Sequence, residues 1–247
     1  MSQQLVYLAM TGLNATMDRM TSATNNLANA STTAFKAQQP VFQAQPLYGQ
    51  GLADRVDVAT AQDTASFKAG PIEGTGRDLD VAIKGQGWIG VQATDGSVAL
   101  TRNGSLAISG TGVLQTSDGN PVLGKGGAPI TLPPLQKVTI GADGTISGVA
   151  VGQTPDQVAT LNRIMLANPP TAALTRRSDG LFADQQGQPT PDASVQLQVG
   201  ALEGSNANPV ETMMSMIENT RIFQMQTELV RMALNSGQGQ SSPLTLT

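Results

Sequence analysis

The 247-residue sequence contains no cysteine and no histidine. Without cysteine the chain can form neither a disulfide nor a thiolate metal site. Without histidine it lacks the usual general base near neutral pH and the commonest metal ligand. We therefore expect no metal, no cofactor and no enzymatic activity, although carboxylates alone can still support hydrolysis.

Other features that the sequence lacks exclude further classes of protein. Charged residues are 13% of the chain and the net charge is −4, so no basic footprint for nucleic acid is present. No apolar run approaches the ~20 residues that a membrane-spanning helix needs, so we expect no stable membrane insertion. The start of the chain has neither a basic segment nor an unbroken apolar core. This predicts that no signal peptide is cleaved, so the chain stays in the cytoplasm or leaves by another route.

Apolar residues near the start recur at alternating spacings of four and three residues, which is the pattern of a helix packed along another helix. The positions are Val6, Met10, Leu13, Met17, Met20 and Leu27, with Thr24 in the same register. Few charged residues interrupt this region. The pattern predicts an N-terminal helix with neighbours on several sides.

The other end of the chain shows a similar pattern. Asn208 and Pro209 followed by Glu211 are typical of a capped helix start. The same alternating spacing then runs through Met213, Met216, Thr220, Phe223, Thr227, Val230 and Leu234, and Asn235-Ser236-Gly237 is predicted to end the helix.

Between these helices the apolar pattern has a period of two, as in Leu79, Val81 and Ile83. Turn-forming dipeptides punctuate the region at Asp95-Gly96, Asn103-Gly104, Asp118-Gly119, Asp143-Gly144 and Asp179-Gly180. The predicted fold class is therefore α+β, with paired, coiled-coil-like N- and C-terminal helices flanking a central all-β domain. The predicted domains are a terminal helical domain (1–36 and 203–247), an extended connector with short strands (37–74) and an all-β domain (75–202).

Two motifs in the β region allow a chemical interpretation. Residues 85–90 match G-x-G-x-x-G, but the dinucleotide interpretation needs a helix there, and a hairpin is predicted instead. Asp78 and Asp80 share one face of a strand, as a glycosidase pair would. Because Arg77 and Lys84 lie nearby, we favour surface ion pairs.

Three segments resemble one known family. TNNLANASTTAFK (24–36), GTGRDLDVAIKGQGWIGVQATDGSVALTRNGSLAISGTGVLQTSDGNPVLG (74–124) and LEGSNANPVETMMSMIENTRIFQMQ (202–226) are similar to the N-terminal, β-domain and C-terminal signatures of bacterial flagellar rod and hook proteins. One departure is Ala34, which stands where the family usually has glycine. This predicts a less sharp turn out of the helix, or a turn with different dihedral angles.

Within that family the sequence is most similar to the proximal rod subunits, and the distal rod subunits are the alternative. The resemblance implies a structural subunit that assembles helically through its terminal helices, with the β domain outside the inner tube. It also implies a location in the periplasm-spanning rod, other rod subunits as partners, contact on the side of the membrane ring or export gate, and export by the flagellar type III apparatus. A carbohydrate-binding or adhesive β module is a different class, and it would need a cluster of exposed aromatic residues.

Asn25, Asn26 and Asn29 lie near the end of the predicted N-terminal helix, where asparagine is a mediocre helix former. One hypothesis is that they bridge the helix to neighbouring subunits or to the connector, and the other is that they cap and end the helix. The residues that we assign to the assembly interface are Val6, Met10, Leu13, Met17, Met20, Asn25, Asn26, Leu27, Asn29, Phe35, Leu202, Ser205, Asn206, Pro209, Met213, Met216, Ile217, Arg221, Phe223 and Val230.

Overall fold

The computed structural model describes residues 2–46, 56–154 and 157–238, and within them the chain forms two compact units. We call the first the terminal unit, whose described residues fall within Met1–Asn29, Gln38–Thr64 and Ala207–Thr247. We call the second the β-rich unit, which takes its residues from Ala30–Ala37 and Ala65–Asn206.

The terminal unit holds both long helices. Helix α1 (Ser2–Ala28) packs against helix α2 (Pro209–Gln238) and against strand β1 (Gln38–Pro46), which pairs with strand β2 (Val56–Ala65). The predicted cap of α2 is confirmed, since Asn208 Oδ1 accepts a hydrogen bond of 3.0 Å from the Val210 N–H. The predicted stop at residues 235–237 is wrong, because α2 continues to Gln238.

The β-rich unit consists of short strands joined by tight turns. They are β3 (Ile72–Gly74), β4 (Val81–Lys84), β5 (Trp88–Gln92), β6 (Val98–Thr101), β7 (Leu106–Ile108), β8 (Leu114–Thr116), β9 (Leu135–Ile140), β10 (Thr145–Ala150), β11 (Ala159–Arg163), β12 (Leu166–Ala167), β13 (Leu174–Arg176), β14 (Phe182–Asp184), β15 (Gln196–Val199) and β16 (Ala201–Glu203), with a 3-10 turn at Thr171–Ala173.

These strands form several small antiparallel sheets. The largest has the order β12-β5-β6-β14-β13, a second has the order β11-β10-β9, and the pairs β15-β4, β16-β3 and β7-β8 complete the unit. A continuous aliphatic core, including Val81, Ile89, Leu114 and Ile146, holds them together. A smaller cluster stacks Trp88 on Phe182, with ring centroids 4.8 Å apart.

Most of the predicted turns are confirmed. Gly96, Gly119, Gly144 and Gly180 all have φ between 81° and 85°, a region that glycine enters without steric cost. Asn103-Gly104 is different, because it forms no hairpin. A Cβ at Gly104 would collide with the Val81 carbonyl oxygen, so this glycine serves a close approach of two backbones.

The predicted fold class is wrong. Among the described residues there are only two long helices, one near each end, and most of the chain is strand spread over several small sheets. One of those sheets, β1-β2, groups with the helices, so a helical pair flanking one β domain does not describe the fold. The strands are short, and turns that contain glycine separate many of them.

The coiled-coil seam of the prediction also differs from the contacts of α1. Met10 and Met17 are 55% and 53% exposed, whereas Thr16 and Ala23, one position before the predicted seam positions 17 and 24, are buried. Small side chains let two helices approach closely, which leaves Met10 and Met17 of the predicted seam exposed.

Candidate assembly interface

Among the described side chains of the two helices, nine large apolar ones are between 51% and 67% exposed. They are Met10, Met17, Val210, Met213, Met214, Ile217, Met225, Leu229 and Met232, and we call them the apolar face. On α2 they fall in two groups, 210–217 and 225–232, each with spacings of three and four. Met225 follows Ile217 by eight positions, about two helical turns, so both groups lie on the same side of the helix. Monomeric proteins rarely leave contiguous apolar surface of this kind open to water.

The opposite side of α2 is more polar than this exposed side. Asn219 is buried there, and its amide lies 3.3 Å from Ser215 Oγ. Thr16 Oγ1 of α1 lies 2.9 Å from the Gly12 carbonyl oxygen and 3.0 Å from Gln226 Oε1 of α2. Polar groups are therefore inside the helix contact and methionines outside it, which reverses the usual pattern of a surface helix.

The side chains that are buried in the described part of this unit are all small or polar: Thr16, Ser22, Ala23, Ala207 and Asn219. An open recess on α1 is lined by Met17, Met20 and Thr24 and closed on one side by Phe223. Burying one large apolar side chain contributes about 1.5–3 kcal/mol. The described part of the terminal unit thus has little hydrophobic core of its own. Its exposed large apolar side chains could form one with a partner.

The three asparagines have different partners. Asn26 Oδ1 accepts the Gln38 N–H at 2.7 Å, and Asn26 Nδ2 donates to the Gln38 carbonyl at 2.8 Å, which ties α1 to β1. The Asn29 N–H and Nδ2 donate to the Asn25 carbonyl at 3.1 Å and 2.9 Å, which closes the last turn of α1. Asn26 thus bonds the predicted connector, while Asn25 and Asn29 act at the helix end.

Four of the assigned residues lie in the β-rich unit. Phe35 is buried, with the Arg176 guanidinium 4.9 Å from its ring centroid, and Ser205 is buried near Asn206 in sequence. Leu202 is half-buried in β16, opposite Glu73 of β3.

The remaining assigned residues lie on the helices of the terminal unit. Leu13, Met20, Leu27, Met216, Phe223 and Val230 are half-buried, and Asn25, Pro209 and Arg221 are exposed. Val6 lies in α1, but its side chain is outside the described residues.

The structure shows one buried cluster that the sequence did not predict. Glu203 Oε1 accepts from Lys36 Nζ at 2.7 Å, and Glu203 Oε2 accepts from Arg102 Nη1 at 2.9 Å. Burial alone would raise the pKa of Glu203, but the hydrogen bond from Lys36, the charge of Arg102 and the Gly70 N–H hold that pKa below its ordinary value. The sequence features that could have indicated this cluster are Lys36 in the N-terminal signature and Glu203 in the C-terminal one, although 167 positions separate them.

Ala34 has a φ of 57°, which is the left-handed region that glycine adopts freely. The chain therefore makes this turn with alanine in a glycine-like conformation. The Ala34 N–H donates to the Glu203 carbonyl at 2.7 Å, and this bond fixes the turn.

The two chemical motifs have structural roles. Residues 85–87 join β4 to β5, and residues 88–90 begin β5. Arg102 donates to the carbonyls of Gly85 at 2.7 Å and Gly87 at 3.1 Å. Asp80 is buried, accepts from Thr75 Oγ1 at 2.7 Å and pairs with Arg77 at 3.2 Å. No group of three or more acidic residues within the described ranges is placed to hold a metal ion, and neither described helix is long and apolar enough to cross a membrane.

The sequence is similar to proteins of one known family. Residues 82–148 match the family model described as "Flagellar hook protein FlgE/F/G D1 domain", and residues 198–233 match "Flagellar basal body rod FlgEFG protein C-terminal". The flagellar basal-body rod protein FlgF of Salmonella typhimurium is 39% identical over 97% of both chains. FlgF of Escherichia coli is 38% identical over 91% of this chain and 92% of that one, and FlgG of Buchnera aphidicola subsp. Schizaphis graminum is 29% identical over 91% and 94%.

The first of these relatives aligns with nearly the full length of both chains, at an identity high enough to establish common descent. The chain therefore belongs to the family of flagellar basal-body rod proteins.

Proposed function

We propose that this chain is a structural subunit of the flagellar rod that assembles through its terminal unit. In this proposal residues 1–36 and 203–247 form the inner tube domain, residues 37–74 connect it, and residues 75–202 form the β domain outside. The partners are other copies and other rod subunits, arranged helically around a channel across the periplasm.

The observation that carries the proposal is the apolar face. Nine large side chains on α1 and α2 are exposed, while the described buried side chains of the same unit are small or polar. A second layer of subunits that covers this face would bury the methionines, whose flexible side chains fill irregular gaps between helices. Burying a fully exposed side chain of this size contributes about 1.5–3 kcal/mol, and these side chains, 51–67% exposed, would each contribute roughly half to two-thirds of that.

A position in the proximal part of the rod is favoured over the distal alternative. The relatives named FlgF reach 39% identity, compared with 29% for the relative named FlgG over a similar share of the chain. We extend the proposal to export by the flagellar type III apparatus without a cleaved signal, and to a neighbour at the membrane-ring or export-gate side.

Ile217→Asp tests the proposal, with the neighbouring exposed Glu218→Gln as matched control. Ile217 is 58% exposed in the single chain, so the aspartate leaves the circular dichroism and the melting of the subunit unchanged. In a strain that lacks the gene, the Ile217→Asp variant is expected to abolish swimming and to leave basal bodies without a complete rod, because a charge would be buried between subunits. Normal swimming and complete rods with Ile217→Asp would overturn the proposal.

A further inference from the structure

Three stretches of chain that are distant in sequence meet inside the β-rich unit, at residues 34–37, 66–71 and 203–206. Ala37 and Asn206 end the first and third stretches, and Ala65 directly precedes the second; at these three residues the chain passes to or from the terminal unit. Backbone bonds join each stretch to the other two: Asn206 N–H to the Phe35 carbonyl at 3.2 Å, Ser66 N–H to the Ala37 carbonyl at 2.8 Å, and Gly204 N–H to the Pro71 carbonyl at 2.7 Å.

The Asn206 side chain bonds the other two stretches at once. Its Oδ1 accepts from the Ala37 N–H at 2.6 Å, and its Nδ2 donates to the carbonyls of Ser66 at 2.8 Å and Lys68 at 2.9 Å. One amide group therefore satisfies three backbone groups. Aspartate would keep the acceptor and lose both donors, so only an amide of this length serves all three.

The Glu203 carboxylate makes a second set of links between the same stretches. Its Oε1 accepts from both Lys36 Nζ at 2.7 Å and the Gly70 N–H at 2.8 Å. Lys36 and Glu203 are each about 1% exposed, so these bonds form in a medium where an unpaired charge is costly.

The Lys68 carbonyl connects the two sets. It accepts from Lys36 Nζ at 2.8 Å and from Asn206 Nδ2 at 2.9 Å. A carbonyl oxygen has two lone pairs, and here both are used. Residue 68 is thus held in place from both sides, and loss of either donor frees it to move away from the other.

We propose that Asn206 and the Lys36–Glu203 pair form a single latch, coupled through the Lys68 carbonyl, which fixes the positions at which the chain leaves the β-rich unit. The latch is a positioning device for assembly. A subunit that contacts several copies needs the points at which its chain enters and leaves the β-rich unit to be the same in every copy. This inference rests on the proposed function and assigns these residues a role that acts through backbone position.

Hydrogen exchange on the full-length Asn206→Ala variant tests the coupling. The Ala37 amide loses its acceptor, whereas the Gly70 amide bonds Glu203 and not Asn206. A coupled latch predicts exchange on the order of tenfold faster at both amides, with β5 and β6 unchanged. Faster exchange at Ala37 alone would overturn the coupling. The control is Asn162→Ala, an exposed asparagine of β11 in the same unit, for which neither amide changes.

A second variant keeps the test decisive if Asn206→Ala fails to fold. Lys36→Met opens the latch from the opposite side, and coupling predicts faster exchange at Ala37, whose amide Lys36 does not bond. Unchanged exchange at Ala37 in that variant would contradict the inference.

Complementation separates this inference from the proposed function. A gene-deletion strain carrying the wild-type chain is expected to build complete rods, and if it does not, the proposed function is wrong. If the wild type succeeds and Asn206→Ala yields folded subunit but fewer complete basal bodies, the positioning role is supported. A full complement of rods with Asn206→Ala would leave the rod function intact and overturn the positioning role.

Discussion

At the scale of single residues, the turn after α1 depends on a backbone conformation that its own residue disfavours. Ala34 is the one described residue other than glycine with positive φ. The left-handed region costs an alanine roughly 1–2 kcal/mol because Cβ approaches the carbonyl oxygen. The bonds around Ala34, including the one to the Glu203 carbonyl, impose this conformation.

Ala34→Gly is therefore expected to stabilise the chain by about 1 kcal/mol, the relief of strain exceeding the entropy that glycine loses on folding. The measurement is the free energy of unfolding from a urea titration followed at Trp88, which reports the β-rich unit. The control is Ala37→Gly. Ala37 does not have a positive φ, so glycine there should lower the free energy of unfolding by about 0.5–1 kcal/mol. A lower stability for Ala34→Gly would show that strain at this turn is negligible.

At the scale of elements, β1 and β2 form a two-stranded sheet, which is at best marginally stable alone. Two contacts attach its first strand to α1. Asn26 bonds both backbone groups of Gln38, and the Arg19 guanidinium lies 4.7 Å from the ring centroid of Phe42. The attachment explains why an asparagine is placed inside a helix near its end.

Asn26→Ala is expected to cost about 1–3 kcal/mol, because two part-buried backbone groups of Gln38 lose their partner. Hydrogen exchange should report the loss as faster exchange at the Gln38 amide and along β1. Asn25→Ala is the matched control. Asn25 is exposed, and the backbone carbonyl that it offers to Asn29 is still present when its side chain is replaced by alanine. If both variants behave alike, Asn26 contributes only at the helix end and does not attach the sheet.

Local signals in the sequence predicted some elements, and contacts between distant residues decided the rest. The Asn208 cap and the Asp-Gly turns need only neighbouring residues, and they were confirmed. The face of α1 that contacts α2 could not be predicted, because spacing identifies an apolar seam without saying whether a helix of the same chain or another copy covers it. The cluster of Lys36, Arg102 and Glu203 was missed since nothing local links residues so far apart in sequence.

At the scale of the whole molecule, the two units differ in how their stability arises. The β-rich unit has a continuous core of fully buried side chains such as Ile89, Leu106 and Ile146. The described part of the terminal unit buries only small or polar side chains and exposes most of its described methionines. Helices of this kind derive most of their stability from tertiary packing, and a partner that covers the apolar face would supply it.

The free subunit is therefore expected to show rapid hydrogen exchange along α1 and α2, because local opening of these helices exposes little apolar surface that was not already in water. Amides of β5, β6 and β10 should exchange only through opening of the whole β-rich unit. In rods purified with this subunit in place, protection of both helices should rise to the level of those strands, while β5 and β6 should not change. Helices as protected in the free subunit as the core strands would mean that the terminal unit is already complete. In that case the exposed methionines would need an explanation other than assembly.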